Sequence, residues 1–114
     1  MLIRSSATIF SDIAGSTANQ HAFSTSLVSF MSTYNIDGVD VDWKYPAADD
    51  RSGRPADYAS FPTFIAQLKL ALGNTDGRDG LSITIPASYW YLQHFDIISL
   101  ANSVDCKRFK APLR

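Results

Sequence analysis

At 114 residues, with 46% hydrophobic and 18% charged side chains, the chain has room for one domain with one modest core. A formal net charge of −1 leaves no electrostatic footprint for nucleic acid or for an anionic membrane surface, so neither is expected as a partner. No apolar run approaches the ~18–20 residues of a membrane span, and "MLIRSSATIF" is too short and too quickly polar for a secretory signal, so localisation stays open.

The first periodic segment follows Ser16. Phe23, Leu27, Phe30 and Tyr34 recur at steps of four, three and four, with Ser24, Ser29 and Ser32 on other faces, which predicts an amphipathic helix capped by Ser16 and stopped by a left-handed Asn35. Val39, Val41 and Trp43 then alternate with Asp40, Asp42 and Lys44, the period-two pattern of a strand. "AADDRSGRPAD" reads as a solvated loop that includes Asp49, Asp50, Arg51 and Arg54. Phe61, Phe64, Ile65, Leu68 and Leu72 predict a second helix, with Pro62 early and Gly73 at its end. After the turn residues "GNTDGRDG", "LSITIP" predicts a second strand, followed by the aromatic run "SYWYLQHF" and a short helix from about Asp96 to Asn102. Such alternation implies a parallel sheet covered by helices, although two strands are too few to complete one. Phe23, Phe30, Phe61 and Phe64 are expected in the core by their spacing, and His21 and His94 at the surface. Cys106 stands alone, with no CxxC and no His/Cys cluster, so no internal disulfide, metal or other cofactor is expected.

The chemistry concentrates in "IDGVDVDWKYP", Ile36 to Pro46. On a strand, Asp40, Asp42 and Lys44 share one face at steps of ~7 Å, so Asp42 can touch both neighbours. In an α/β barrel, catalytic groups emerge at the C-terminal ends of the strands, which puts Lys44 nearest a substrate. The Asp40–Asp42 pair is also a D-x-D, a metal and nucleotide-sugar motif in some glycosyltransferases, but nothing upstream offers a nucleotide fold. A calcium loop fails on ligand spacing and on the absent central glycine.

"DGVDVDWKYP" resembles the family 18 chitinase signature Asp-Gly-x-Asp-x-Asp-Trp-Glu-Tyr-Pro at every fixed position except the glutamate. "FSDIAGSTANQHAF", "RSGRPADYASFPTF" and "GRDGLSITIPASYWYLQHFDI" resemble the same part of the fungal chitinases of that family. The resemblance implies an α/β fold, a fragment of a (β/α)₈ TIM barrel covering about strands four and five with their flanking helices. Residues 1–105 would be the partial catalytic barrel and 106–114 a non-matching tail, for which a truncated gene model or a retained intron is the expectation. The family itself is secreted and cleaves the β-1,4 linkages of chitin.

In that family the glutamate protonates the glycosidic oxygen, and the substrate's own N-acetyl carbonyl oxygen attacks the anomeric carbon. Lys44 occupies the glutamate's place here. By the resemblance, Asp42 orients the acetamido group, Asp40 tunes Asp42 from below, and Asp37 and Gly38 are structural. Trp43 and Tyr45 are implied as contacts for chitin or N-acetylglucosamine oligomers; from the residues, Tyr89, Trp90 and Tyr91 suit a sugar-stacking platform, with Tyr89 or Trp90 expected to meet the sugar and at least one of the three expected to pack the end of the second strand. A charged ammonium has no lone pair with which to activate water, and loss of a positioned acid/base costs ~10²–10⁴ in rate. The expectation is therefore a chitinase-like chain without hydrolysis, the alternative being a lectin-like binder of the same sugars.

Overall fold

The computed structural model describes residues 1–48, 50, 53–75, 77, 79–86 and 88–109, the side chains of 7 and of 106–109 aside. Asp49 and Arg51 of the expected solvated loop, and 110–114 of the tail, lie outside the described residues.

In chain order the elements are β1 (Leu2–Arg4), α1 (Ala7–Ala14), α2 (Thr17–Tyr34), β2 (Gly38–Asp42), α3 (Asp57–Leu72), β3 (Gly80–Ile85), α4 (Tyr89–Leu92), α5 (Ile97–Ala101) and β4 (Cys106–Phe109). The four strands are parallel and neighbour one another in sequence order, each joined to the next through helix. Register aligns Leu2 and Arg4 with Asp40 and Asp42, and Asp40 with Ser82. Ile3, Val41 and Ile83 likewise fall in line, so β1, β2 and β3 turn the same parity toward the helices. The core lies on that face alone: Val39, Val41, Leu81, Ile83 and Ile85 of the sheet meet Phe10, Leu27, Met31, Phe61, Phe64, Ile65, Leu68, Leu72 and Leu100 of the helices. The opposite face carries Arg4, Asp40, Asp42, Ser82 and Thr84.

Local chemistry explains the boundaries. Ser16 Oγ accepts from the Asn19 amide at 3.2 Å and Asn35 adopts φ 55°, ψ 50°, which caps α2 at both ends as its sequence predicts. Asp96 caps α5 through Ser99. Two strands were expected and four are present. β1 and β4 have three and four residues, too short for a period-two pattern to declare itself, and only pairing to β2 and β3 makes them strands. The eight-residue α1, capped by Ser6, was missed for the same reason of length. Residues 106–109, assigned to the tail, form the β4 backbone against Ser82–Ile85.

The buried face of α2 also differs from its apolar stripe. Gln20, Ser24, Leu27 and Met31 are buried, whereas Phe30 is 46% and Tyr34 64% exposed. Burial of the two polar residues is compensated: Gln20 Nε2 donates to the Ala14 carbonyl at 2.8 Å, and Ser24 Oγ donates to Gln67 Oε1 at 2.5 Å. Phe30 and Tyr34 stack on each other at the surface, with centroids 4.7 Å apart.

One buried carboxylate fixes the loop that follows β2. Asp57, 1% exposed at the start of α3, accepts from Ser11 Oγ at 2.6 Å and from the amides of Ala47 and Arg54 at 3.0 and 2.8 Å. Its charge also suits the positive end of the helix. Asp57→Ala strands three donors, each worth about 1–3 kcal/mol when left unsatisfied. A loss of about 3 kcal/mol or more in urea unfolding is expected, with Asp57→Asn losing less. A shift below about 1 kcal/mol would show that water serves these donors as well as the carboxylate does.

At the other end of the sheet, Asp105 accepts from the Leu81 amide at 2.8 Å and pairs with Lys69 Nζ at 3.0 Å. The Leu81 amide first, then Lys69, holds its carboxyl below the ordinary value near 3.8. A depressed carboxyl stabilises the fold above the unfolded value and loses that contribution as pH falls through the folded one. Thermal melts should therefore show wild type more stable than Asp105→Asn at neutral pH, the gap closing only below about pH 4. A gap unchanged down to pH 2 would contradict this linkage.

Candidate functional site at the strand ends

The polar face of the sheet is assembled from three strands. Asp40, 8% exposed, receives one hydroxyl on each carboxylate oxygen: Ser82 Oγ on Oδ1 and Thr84 Oγ1 on Oδ2, both at 2.6 Å. These side-chain hydrogen bonds cross from β2 to β3 on the polar face of the sheet and rigidify the middle of β2 against β3.

One step along the strand, Asp42 is 3% exposed and its Oδ2 faces two cations. Arg4 Nε of β1 lies at 3.4 Å and Lys44 Nζ at 3.8 Å. The Arg4 side chain is 60% and the Lys44 side chain 33% exposed, so both cations reach solvent while the carboxylate between them does not. Beyond β2 the Lys44–Tyr45 peptide is cis and Ala47 has φ 60°. Tyr45, half-buried, stacks on Tyr91 of α4 with centroids 4.1 Å apart and planes at 20°, and Tyr91 Oη donates to Asp50 at 2.7 Å. Tyr89 and Trp90, on the same short helix, are 74% and 63% exposed.

The structure thus brings Asp40, Asp42, Lys44 and Tyr45 together at the C-terminal end of β2, with Tyr89 and Trp90 on the element that follows β3. It separates Asp37 and Gly38, which line a groove of about 500 Å³ at the opposite end with Gly80 and Asp105. Gly38 is needed there, because a Cβ would come within 3.1 Å of the Gly80 carbonyl oxygen.

Trp43 requires a correction. Grouped by resemblance with the sugar contacts, it points to the helix face, 1% exposed, stacked on Phe10 at 5.6 Å and edge-on to Phe61 at 5.0 Å. Strand alternation carried one residue past β2 dictates this: Trp43, next to Asp42, takes the face opposite to Asp40 and Asp42. Its Nε1–H is buried with no acceptor among the described residues.

Sequence reasoning missed Arg4, Ser82 and Thr84. The alternation of Ser82 and Thr84 with Leu81, Ile83 and Ile85 was a visible signal for two of them, whereas nothing local marks Arg4. Among the described residues no group of three or more His, Cys, Asp or Glu is placed to hold a metal ion.

Parallel strands in sequence order, helices on one face and charged side chains at the strands' C-terminal ends define a section of a (β/α) barrel of the enzyme type. The match to known proteins is specific. Residues 4–107 fit the model of Glycosyl hydrolases family 18. The "Killer toxin subunits alpha/beta" of Kluyveromyces lactis is 42% identical over 99 residues, 86% of this chain and 9% of that protein. The "Secreted chitinase LysM12" of Penicillium expansum is 37% identical over 90 residues, 79% of this chain and 6% of that protein. Among solved structures, chitinase ChiA74 from Bacillus thuringiensis superposes with a TM-score of 0.83 at 28% identity, covering 90% of this chain and 18% of that one. The chain belongs to glycosyl hydrolase family 18, and it spans less than a tenth of the length of those two sequence relatives.

Because Trp43 is core, its substitution should act on stability and leave ligand contact alone. Trp43→Ala is expected to cost about 3–5 kcal/mol in denaturant unfolding. Trp43→Phe, which keeps an aromatic ring and removes the orphaned N–H, should cost much less and bind sugar as wild type does. Loss of binding by a well-folded Trp43→Phe protein would return Trp43 to the site.

Proposed function

We propose that this chain is a non-hydrolysing member of family 18 whose strand-end face holds N-acetylglucosamine oligomers of chitin. The observation that carries this reading is the Lys44 ammonium, 3.8 Å from the Asp42 carboxylate at the position where the family signature has its proton-donating glutamate. In the family reaction that group gives a proton to the glycosidic oxygen as the substrate's acetamido oxygen closes on the anomeric carbon, then takes a proton from water as the ring reopens. Lys44 has no lone pair while it is an ammonium, so the second step has no base.

In this reading the binding half of the site is kept. Asp42 is positioned to accept from an acetamido N–H, Asp40 buttresses it through Ser82 and Thr84, and Tyr45, Tyr89 and Trp90 offer aromatic faces suited to pyranose rings. Chitinases among the relatives support this choice of sugar.

Two assays test the reading. The purified chain should bind chitin beads yet release no fluorophore from a chitobioside above a heat-killed control. Grafted into a complete family barrel in place of the corresponding section, the Lys44 form should fold and stay inactive, whereas Lys44→Glu should recover activity by ~10² or more. Equal turnover by both chimeras would remove position 44 from the chemistry.

A further inference from the structure

Resting on the sugar-binding reading, a second property concerns the sign of the charge that the face presents. Two cations approach one oxygen of Asp42, Arg4 Nε at 3.4 Å and Lys44 Nζ at 3.8 Å, so both lie against the same carboxylate. A single carboxylate cannot neutralise both a guanidinium and an ammonium. The remaining acid of the face, Asp40, is 8% exposed and has each oxygen occupied by a hydroxyl. Asp50 is engaged by Tyr91, whose ring stacks on Tyr45. What a solute meets first at the end of β1 and β2 is therefore Arg4 and Lys44, with the carboxylate that holds them recessed between them. Among the described residues, a glutamate at position 44 would leave Arg4 as the cation beside three acids; lysine inverts that balance.

We infer that the Arg4–Lys44 pair makes this face selective for acidic sugar chains, those carrying a carboxylate on a ring adjacent to N-acetylglucosamine. A guanidinium and an ammonium side by side can share one carboxylate, Arg4 through its planar N–H groups and Lys44 as a point charge. An N-acetylglucosamine ring next to that uronate has the acetamido group for Asp42. A de-N-acetylated chain, which carries ammonium groups, is disfavoured twice, by loss of the acetamido group and by repulsion from the pair.

The test is titration calorimetry of the full chain with three tetrasaccharides at ~20 mM salt: the neutral N-acetylglucosamine tetramer, its de-N-acetylated cationic counterpart, and a tetramer alternating glucuronic acid with N-acetylglucosamine. The expected order is acidic, neutral, cationic, with the acidic tetramer at least about tenfold tighter than the neutral one, and this margin should shrink toward unity at ~1 M salt, where the Debye length is ~3 Å. Arg4→Gln and Lys44→Gln should each remove most of the margin and leave the neutral tetramer bound; both side chains reach solvent, and circular dichroism melts check that the fold persists. Lys44→Glu should abolish the preference. A neutral tetramer that binds as tightly as the acidic one overturns the inference and leaves the proposed function standing. Binding of none of the three overturns both. Inorganic sulfate competing as well as the acidic tetramer would show a bare anion site and overturn the claim that sugar is selected.

Discussion

The hydrogen bonds from Ser82 and Thr84 to the two oxygens of Asp40 are the constraint on which the other features depend. Side chains alternate along a strand, so a one-residue slip of β3 against β2 would drive Leu81 and Ile83 onto the carboxylate and carry two hydroxyls into the core. The pair of short bonds therefore locks register and separates the two faces of the sheet. Correct register puts Val39, Val41, Ile83 and Ile85 under the helices and lines up Asp42 with Arg4 across β1.

From that register the rest of the site is built by reach. Asp57 performs a parallel service one connection later. It holds Ala47 and Arg54 by their amides and Ser11 by its hydroxyl, which ties the segment after the catalytic-type motif to α1 and α3. Both carboxylates are nearly inaccessible, and both are tolerated in the interior because their oxygens are occupied by donors. Asp40 and Asp57 thus fix geometry, and Asp42 is the acid that meets the cations Arg4 and Lys44.

The residue type at the strand end decides what that geometry can do. A carboxylic acid at position 44 could give and take a proton; an ammonium held 3.8 Å from Asp42 presents charge and hydrogen-bond donors only. In the proposed reading, recognition and catalysis are separable, because the groups assigned to hold an acetamido sugar lie on different side chains from the position assigned to the proton donor. Exposure follows the same division, with Asp42 recessed and Arg4 and Lys44 outward.

Much of the site could be read in the sequence, because the properties concerned are local. The alternation of Asp40, Asp42 and Lys44 with Val39, Val41 and Trp43 follows from strand geometry, the caps Ser16 and Asn35 act within a few residues, and the lysine in a recognisable glycosidase motif is a matter of identity. The same alternation already contradicted any placing of Trp43 beside Asp42. Residues far apart in the chain could not be assigned this way. Arg4 meets Asp42, and Ser82 and Thr84 meet Asp40, only because β1, β2 and β3 settle in one register across roughly forty residues at each step. The burial of Gln20 and Ser24 in place of Phe30 and Tyr34 was likewise decided by partners on other elements, since a buried amide or hydroxyl is stable only where a distant acceptor has been brought to it. Sequence by itself determined which side chains alternate and what chemistry each carries; tertiary structure decided which of them touch, because contact depends on cooperative packing that no single segment contains.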